Sequence, residues 1–133
     1  MEAAAERLAD ALLIGDCVLL YGEMGAGKSV FARAAARRLG VAAPMPSPTF
    51  TIMQVYEAAC PIVHMDLYRL ADADEAFGAG VCDALGGGNI CFVEWPNGFE
   101  ELFIGLHCYR VYIDYAEDPS SRHIRITYGG ARD

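Results

Sequence analysis

The sequence has 133 residues, 54% of them hydrophobic, and 18 acidic side chains against 10 Lys and Arg, for a formal net charge of −8. That is one domain's length (1–133) with ample apolar residues for a core, and the acidic balance argues against a surface that grips nucleic acid through counterion release. The most apolar stretch, 11–21, is broken by Gly15 and Asp16 and falls short of the ~20 residues a bilayer needs, so no membrane association is expected.

In chain order, residues 2–14 predict a helix, with Ala5, Leu8, Ala9, Leu12 and Leu13 on one face at 3.6 spacing. This opening segment is acidic and amphipathic, unlike a basic leader with an apolar run and a cleavage site, which implies a cytoplasmic chain. Residues 17–21, Cys-Val-Leu-Leu-Tyr, form an unbroken apolar run suited to the centre of a parallel sheet. A Gly-rich turn leads into a helix over 28–39 that Gly40 should cap. Pro44, Pro46 and Pro48 make 41–49 an irregular loop.

Residues 50–56 read as a strand, followed by a turn over 57–61 and a second strand over 62–66. A short helix follows from an N-cap at Asp72 or Asp74. The turn 86–89 precedes a buried strand, 90–93, that ends in Glu94. Segments 106–114 and 122–128 alternate apolar and polar, with Ile124, Ile126 and Tyr128 on one face, as expected of an antiparallel pair at a sheet edge. The five cysteines show no CxxC spacing and read as small core hydrophobes in a reducing compartment. Strands interleaved with helices predict an α/β sandwich with a mixed sheet.

The segment Gly22-Glu-Met-Gly-Ala-Gly-Lys-Ser29 satisfies G-x-x-x-x-G-K-[ST] at every fixed position, after a predicted strand and at the start of a predicted helix. Glycines let the backbone curl so that N–H groups point at phosphate oxygens, and the helix adds its positive end. Lys28 is placed to meet the β- and γ-phosphates, and the Ser29 hydroxyl to ligate magnesium. Glu23, Met24, Gly25, Ala26, Gly27, Lys28 and Ser29 are therefore the expected nucleotide contacts.

A phosphate loop needs carboxylates to hold magnesium and orient water. Asp66 and Glu94 each close an apolar strand, at the carboxyl ends where open α/β sheets carry their chemistry. Position alone does not assign the metal to either. His64 alternates with apolar residues and reads as a packed histidine, in the core or behind a ligand. Arg69 is placed to pair with Asp66 or Asp72, or to bring a positive group near the γ-phosphate that would assist transfer. Trp95, the only tryptophan, is divided between core packing and a role at the nucleotide or a partner surface. Thr49, in the proline-rich loop, is a candidate sensor of the γ-phosphate. Lys28, Arg33, Arg37 and Arg38 are the only basic cluster, and no direct binding of nucleic acid is expected.

The blocks GEMGAGKS, SPTFTIMQVYE, HMDLYRLADADE and FVEWP, in this order from about Glu6 to Pro96, closely resemble the bacterial TsaE (YjeE) family. The first block is generic; the combination of SPTF, HMDLYRL and VEWP is specific. The resemblance implies a small ATPase with a P-loop NTPase three-layer sandwich, a mixed, mainly parallel sheet and an antiparallel C-terminal edge, using ATP and Mg2+. It implies Ser29 and Glu94 as magnesium ligands, Lys28 as the phosphate lysine, and Asp66 and Trp95 at positions important for hydrolysis. Thr49 and Phe50 would lie in a switch-like loop.

It further implies TsaD and TsaB as partners, the ATPase resetting that complex in threonylcarbamoyladenosine modification of tRNA. The family pattern opens with a strand and turn that contact the nucleotide, whereas this sequence opens in its first helix, so part of the base site is expected to be missing. GEMGAGKS replaces the commoner GDLGAGKT with every chemical function kept. Residues 97–133 match loosely; Arg122, after the Glu117–Ser121 turn, is a candidate nucleotide contact. The alternatives are a small-molecule kinase, which needs an Arg-bearing lid that 97–105 is too short to supply, and a nucleotide-gated binding module with negligible turnover.

Overall fold

The computed structural model describes residues 1–45, 52–118 and 120–129. Its elements are α1 (Glu2–Ala11), β1 (Cys17–Tyr21), α2 (Lys28–Arg38), β2 (Met53–Tyr56), β3 (Ile62–Asp66), α3 (Ala73–Gly78), α4 (Val81–Ala84) and β4 (Ile90–Glu94). A 3-10 turn (Glu100–Phe103), β5 (Cys108–Tyr115) and β6 (Arg122–Gly129) follow.

The strands form one sheet in the order β2-β3-β4-β1-β5-β6. β3, β4, β1 and β5 run parallel, while β2 and β6 close the two edges antiparallel. β1 lies inside the sheet and is covered on both faces, which is why its sequence is apolar without alternation. Val18 and Leu20 point to the layer of α1 and α2, with Leu8, Phe31 and Ala35. Cys17 and Leu19 point to the other layer, with Ala76, Val81, Phe99 and Phe103. The expected three-layer α/β architecture, with a mainly parallel sheet and an antiparallel C-terminal edge, is the one observed.

Cys91, Cys17 and Cys108 stand in one register row across β4, β1 and β5, buried and unbridged. They serve as the small core residues expected from their apolar settings. Among the described residues no helix is long and apolar enough to cross a membrane.

Three differences from the sequence reading have local causes. The first helix stops at Ala11, not 14, because Asp16 Oδ2 accepts the Leu13 N–H at 2.8 Å and takes that amide out of the helical ladder. Leu13 therefore leaves the apolar face and is 56% exposed. After α3, capped by Asp72 through the Glu75 N–H, a further short helix, α4, precedes the glycine turn. On β6 the predicted apolar face exists but is only partly covered: Ile124 packs against the core on the α1 and α2 side, while Ile126 and Tyr128 are exposed. Gly40, in the left-handed region at φ 108°, ends the second helix as its sequence suggests.

Candidate functional site

Residues 22–29 turn the chain from the end of β1 into α2. Gly22 has φ 155°, and a Cβ there would stand 2.5 Å from the Ile113 carbonyl oxygen, so the loop can lie against β5 only with glycine. Gly27 takes up the N-cap of α2 at φ 116°, and no side chain caps the helix. The first-turn N–H groups are left for an anion.

Lys28 is 5% exposed. Its Nζ donates to the Gly22 carbonyl and, at 3.1 Å, to that of Glu23, and lies 3.8 Å from the centroid of the Trp95 ring. Burial lowers its pKa, opposed by the charges of Glu94 and Asp66. Ser29, one residue on, donates its hydroxyl to Glu94 Oε2 at 2.6 Å.

Asp66 and Glu94 are register partners at the ends of the adjacent parallel strands β3 and β4. Their environments differ. Burial raises the Asp66 pKa, with Glu94 adding to the shift, while the Tyr68 N–H donates to Oδ1 at 2.9 Å and works against it. For Glu94 burial also acts to raise the pKa, but hydrogen bonds from His64 and Ser29, with the Lys28 charge, hold it below the usual glutamate value. Two neighbouring carboxylates thus have pKa values pushed apart, as in sites where one stays ionised and the other handles a proton.

Trp95 is the single described non-glycine residue with positive φ, 57°. The left-handed turn swings its half-buried ring onto Lys28 and against Tyr68, 4.9 Å between centroids, so the ring lines the site and not the core. Met24, Gly25, Gly27, Lys28, Ser29, Val30, Arg33, Asp66, Glu94 and Trp95 border one cleft of about 330 Å³.

The donor set fits magnesium with a nucleotide. Magnesium is usually held by one or two protein oxygens together with phosphates and water, and Ser29 Oγ and Glu94 converge on such a pair. Among the described residues, no three His, Cys, Asp or Glu side chains gather into a protein-only metal cage.

The remaining predicted residues fall elsewhere. Glu23 borders a separate hollow with Ile113, Asp114 and Tyr115. Ala26 is buried at the back of the loop. Arg122 donates from Nε to the Ala26 carbonyl at 2.9 Å and lies over the Tyr115 ring at 4.2 Å, bracing the loop from the hairpin side. It borders a broad hollow of about 640 Å³ with Met1, Glu2 and residues 25–27. Thr49, with Ser47 and Phe50, lies outside the described residues. Arg33, which the sequence shows only as part of a basic cluster, also lines the cleft. Its spacing of four from Ser29 on α2 was the available signal.

The family model for threonylcarbamoyl adenosine biosynthesis protein TsaE matches residues 1–124. The tRNA threonylcarbamoyladenosine biosynthesis protein TsaE of Streptomyces coelicolor is 35% identical over 139 residues, covering 99% of this chain and 93% of that protein. The protein of the same description from Treponema pallidum is 38% identical over 81 residues, 61% of this chain, and the match spans only 60% of that relative. The crystal structure of Bacillus subtilis YdiB superposes with a TM-score of 0.76 at 32% identity, covering 98% of this chain and 80% of that one.

Proposed function

The chain belongs to the TsaE family, and from that premise we propose that it binds ATP with magnesium at residues 22–29 and hydrolyses it. The turnover would reset a TsaD–TsaB transferase complex during threonylcarbamoyladenosine modification of tRNA, with no direct contact to tRNA by this chain. The observation that carries the reading is the convergence of Lys28, Ser29, Asp66, Glu94 and Trp95 on one cleft. A phosphate loop without carboxylates would bind; this one has two, differently tuned.

The residues divide the work. Lys28 leaves the loop carbonyls to neutralise phosphate, and the uncapped start of α2 offers its N–H groups to the same anion. Ser29 and Glu94 would hold magnesium, which supplies neutralisation of the charge that develops on the phosphate oxygens. Asp66, held by the Tyr68 N–H, orients the attacking water. Trp95 covers Lys28 and limits solvent at the phosphate end.

Single-turnover release of phosphate from ATP, with and without TsaD and TsaB, tests the proposal. Release should require magnesium, rise with the partners, and disappear in Lys28→Ala at an unchanged unfolding temperature. Near-normal hydrolysis by a folded Lys28→Ala variant would sink the phosphate-loop reading. Nucleotide binding without release, even with both partners, would leave a nucleotide-gated binding module. Transfer to a small acceptor would indicate a kinase.

A further inference from the structure

His64 is fully buried in the middle of β3, on the sheet face that carries Ile62 and looks toward α1 and α2. Its Nε2 lies 2.6 Å from Glu94 Oε2, the same oxygen that accepts the Ser29 hydroxyl. Its other ring nitrogen, Nδ1, has no hydrogen-bond partner among the described residues. A buried imidazole with one orphaned nitrogen is a poor way to fill a core: leucine would pack there without leaving a polar atom unmatched. Among the described residues the one polar contact the ring makes is to Glu94, and that contact accounts for a histidine between apolar neighbours in β3.

We propose that His64 is a positioning residue for Glu94, and that it sets the carboxylate for a divalent cation; this rests on the reading of Ser29 and Glu94 as the magnesium pair. The ionised carboxylate can only accept, so a proton sits on Nε2, between the ring and Oε2. With Oε2 held from one side by His64 on β3 and from the other by Ser29 on α2, rotation of the carboxylate about its last bond is stopped. The strand, the helix and the acid are locked into one arrangement before any ligand arrives. Ligand-orienting hydrogen bonds of this kind typically support metal affinity by ~10- to 100-fold.

The test uses His64→Leu and His64→Gln, the second able to donate from a side-chain amide. The readout is ADP affinity with and without magnesium, followed by fluorescence of the single tryptophan, Trp95. His64→Leu should bind ADP in chelator within about twofold of the parent chain yet lose roughly tenfold or more of the gain magnesium gives, and His64→Gln should recover most of it. Unchanged magnesium dependence in a folded His64→Leu variant, or no recovery in His64→Gln, overturns the positioning role. If the parent chain itself shows no magnesium dependence, the metal pair falls, and the proposal with it. Nitrogen NMR of the ligand-free parent chain gives an independent check that needs no variant to fold. A proton on Nε2 supports the assignment, and a proton on Nδ1 alone overturns it while leaving the metal pair untouched.

Discussion

The sheet carries a carboxylate–histidine pair at each end, and the two have opposite relations to the surface. At the carboxyl ends of the parallel strands, Glu94 meets His64 at 2.6 Å; at the amino ends, Asp16 meets His107 at 2.8 Å. Both acids are buried, at 5% and 2% exposure. Asp16 spends its oxygens inside the fold: Oδ1 on His107 and Oδ2 on the Leu13 N–H. His107 continues to the Tyr128 hydroxyl at 2.9 Å, so one chain of contacts ties the starts of β1 and β5 to the end of β6. Glu94 instead shares its oxygen with Ser29 at the rim of a cleft. The same chemistry is a staple where every partner belongs to the fold, and a site where one partner is a loop shaped for an anion.

Asp16→Ala should therefore produce the largest loss of stability, about 2–4 kcal/mol, because the Leu13 amide and the buried His107 ring each lose the acceptor that Asp16 supplies. Denaturant unfolding measures it. At a temperature where the variant is folded, nucleotide affinity should stay within about twofold of the parent. An unchanged unfolding midpoint would break the comparison at once, since Asp16 would then be no staple.

The next effect lies at the other end. Asp66→Asn should spare nucleotide binding and lower turnover by ~10²-fold or more, the usual size for a group that positions or activates water, while Glu94→Gln should weaken magnesium-dependent binding itself. Loss of binding only in the Asp66 variant would reverse the two roles. Stability sharpens the contrast through pH. The Asp66 pKa is raised on folding, so its contribution is fully present below the unfolded carboxylate pKa and is lost as pH rises through the folded value. The Glu94 pKa is lowered, so its contribution is present above the unfolded value and fades as pH falls. Near neutrality Asp66→Asn should leave the unfolding midpoint unchanged or slightly raised, and Glu94→Gln should lower it.

The two ends were not equally legible in the sequence. The phosphate loop shows itself because its chemistry is local: eight consecutive residues carry their own turn, cradle and cation. Asp66 and Glu94 are nearly as plain, each closing an apolar strand. Asp16–His107 spans 91 positions, and neither residue carries a pattern, so the pairing exists only once β1 and β5 are adjacent. Leu13 shows the same limit: its helical periodicity is real, yet one carboxylate three residues on outweighs it. The left-handed turn at Trp95 and the brace from Arg122 depend on contacts between distant segments, which spacing cannot encode.

The smallest expected effect lies where the hairpin touches the site. Arg122 reaches across from the start of β6 to the Ala26 carbonyl, and its guanidinium rests on the Tyr115 ring. Tyr115 in turn stands close behind the loop, its hydroxyl 3.2 Å from where a Cβ on Gly25 would be. The bond supports the back of the loop, so removing it should loosen the cradle without taking away any group that faces phosphate. Arg122→Ala is expected to cost about 1 kcal/mol of stability, the net worth of a typical hydrogen bond. Nucleotide affinity should fall by no more than about tenfold, the equivalent of that same energy plus the lost ring contact. Arg122→Lys, which keeps the charge but not the planar donor, should resemble Arg122→Ala if the contact to Ala26 is what matters. Full activity in Arg122→Lys with a large loss in Arg122→Ala would show instead that its charge acts on the nucleotide, and would move Arg122 from the supporting hairpin into the site.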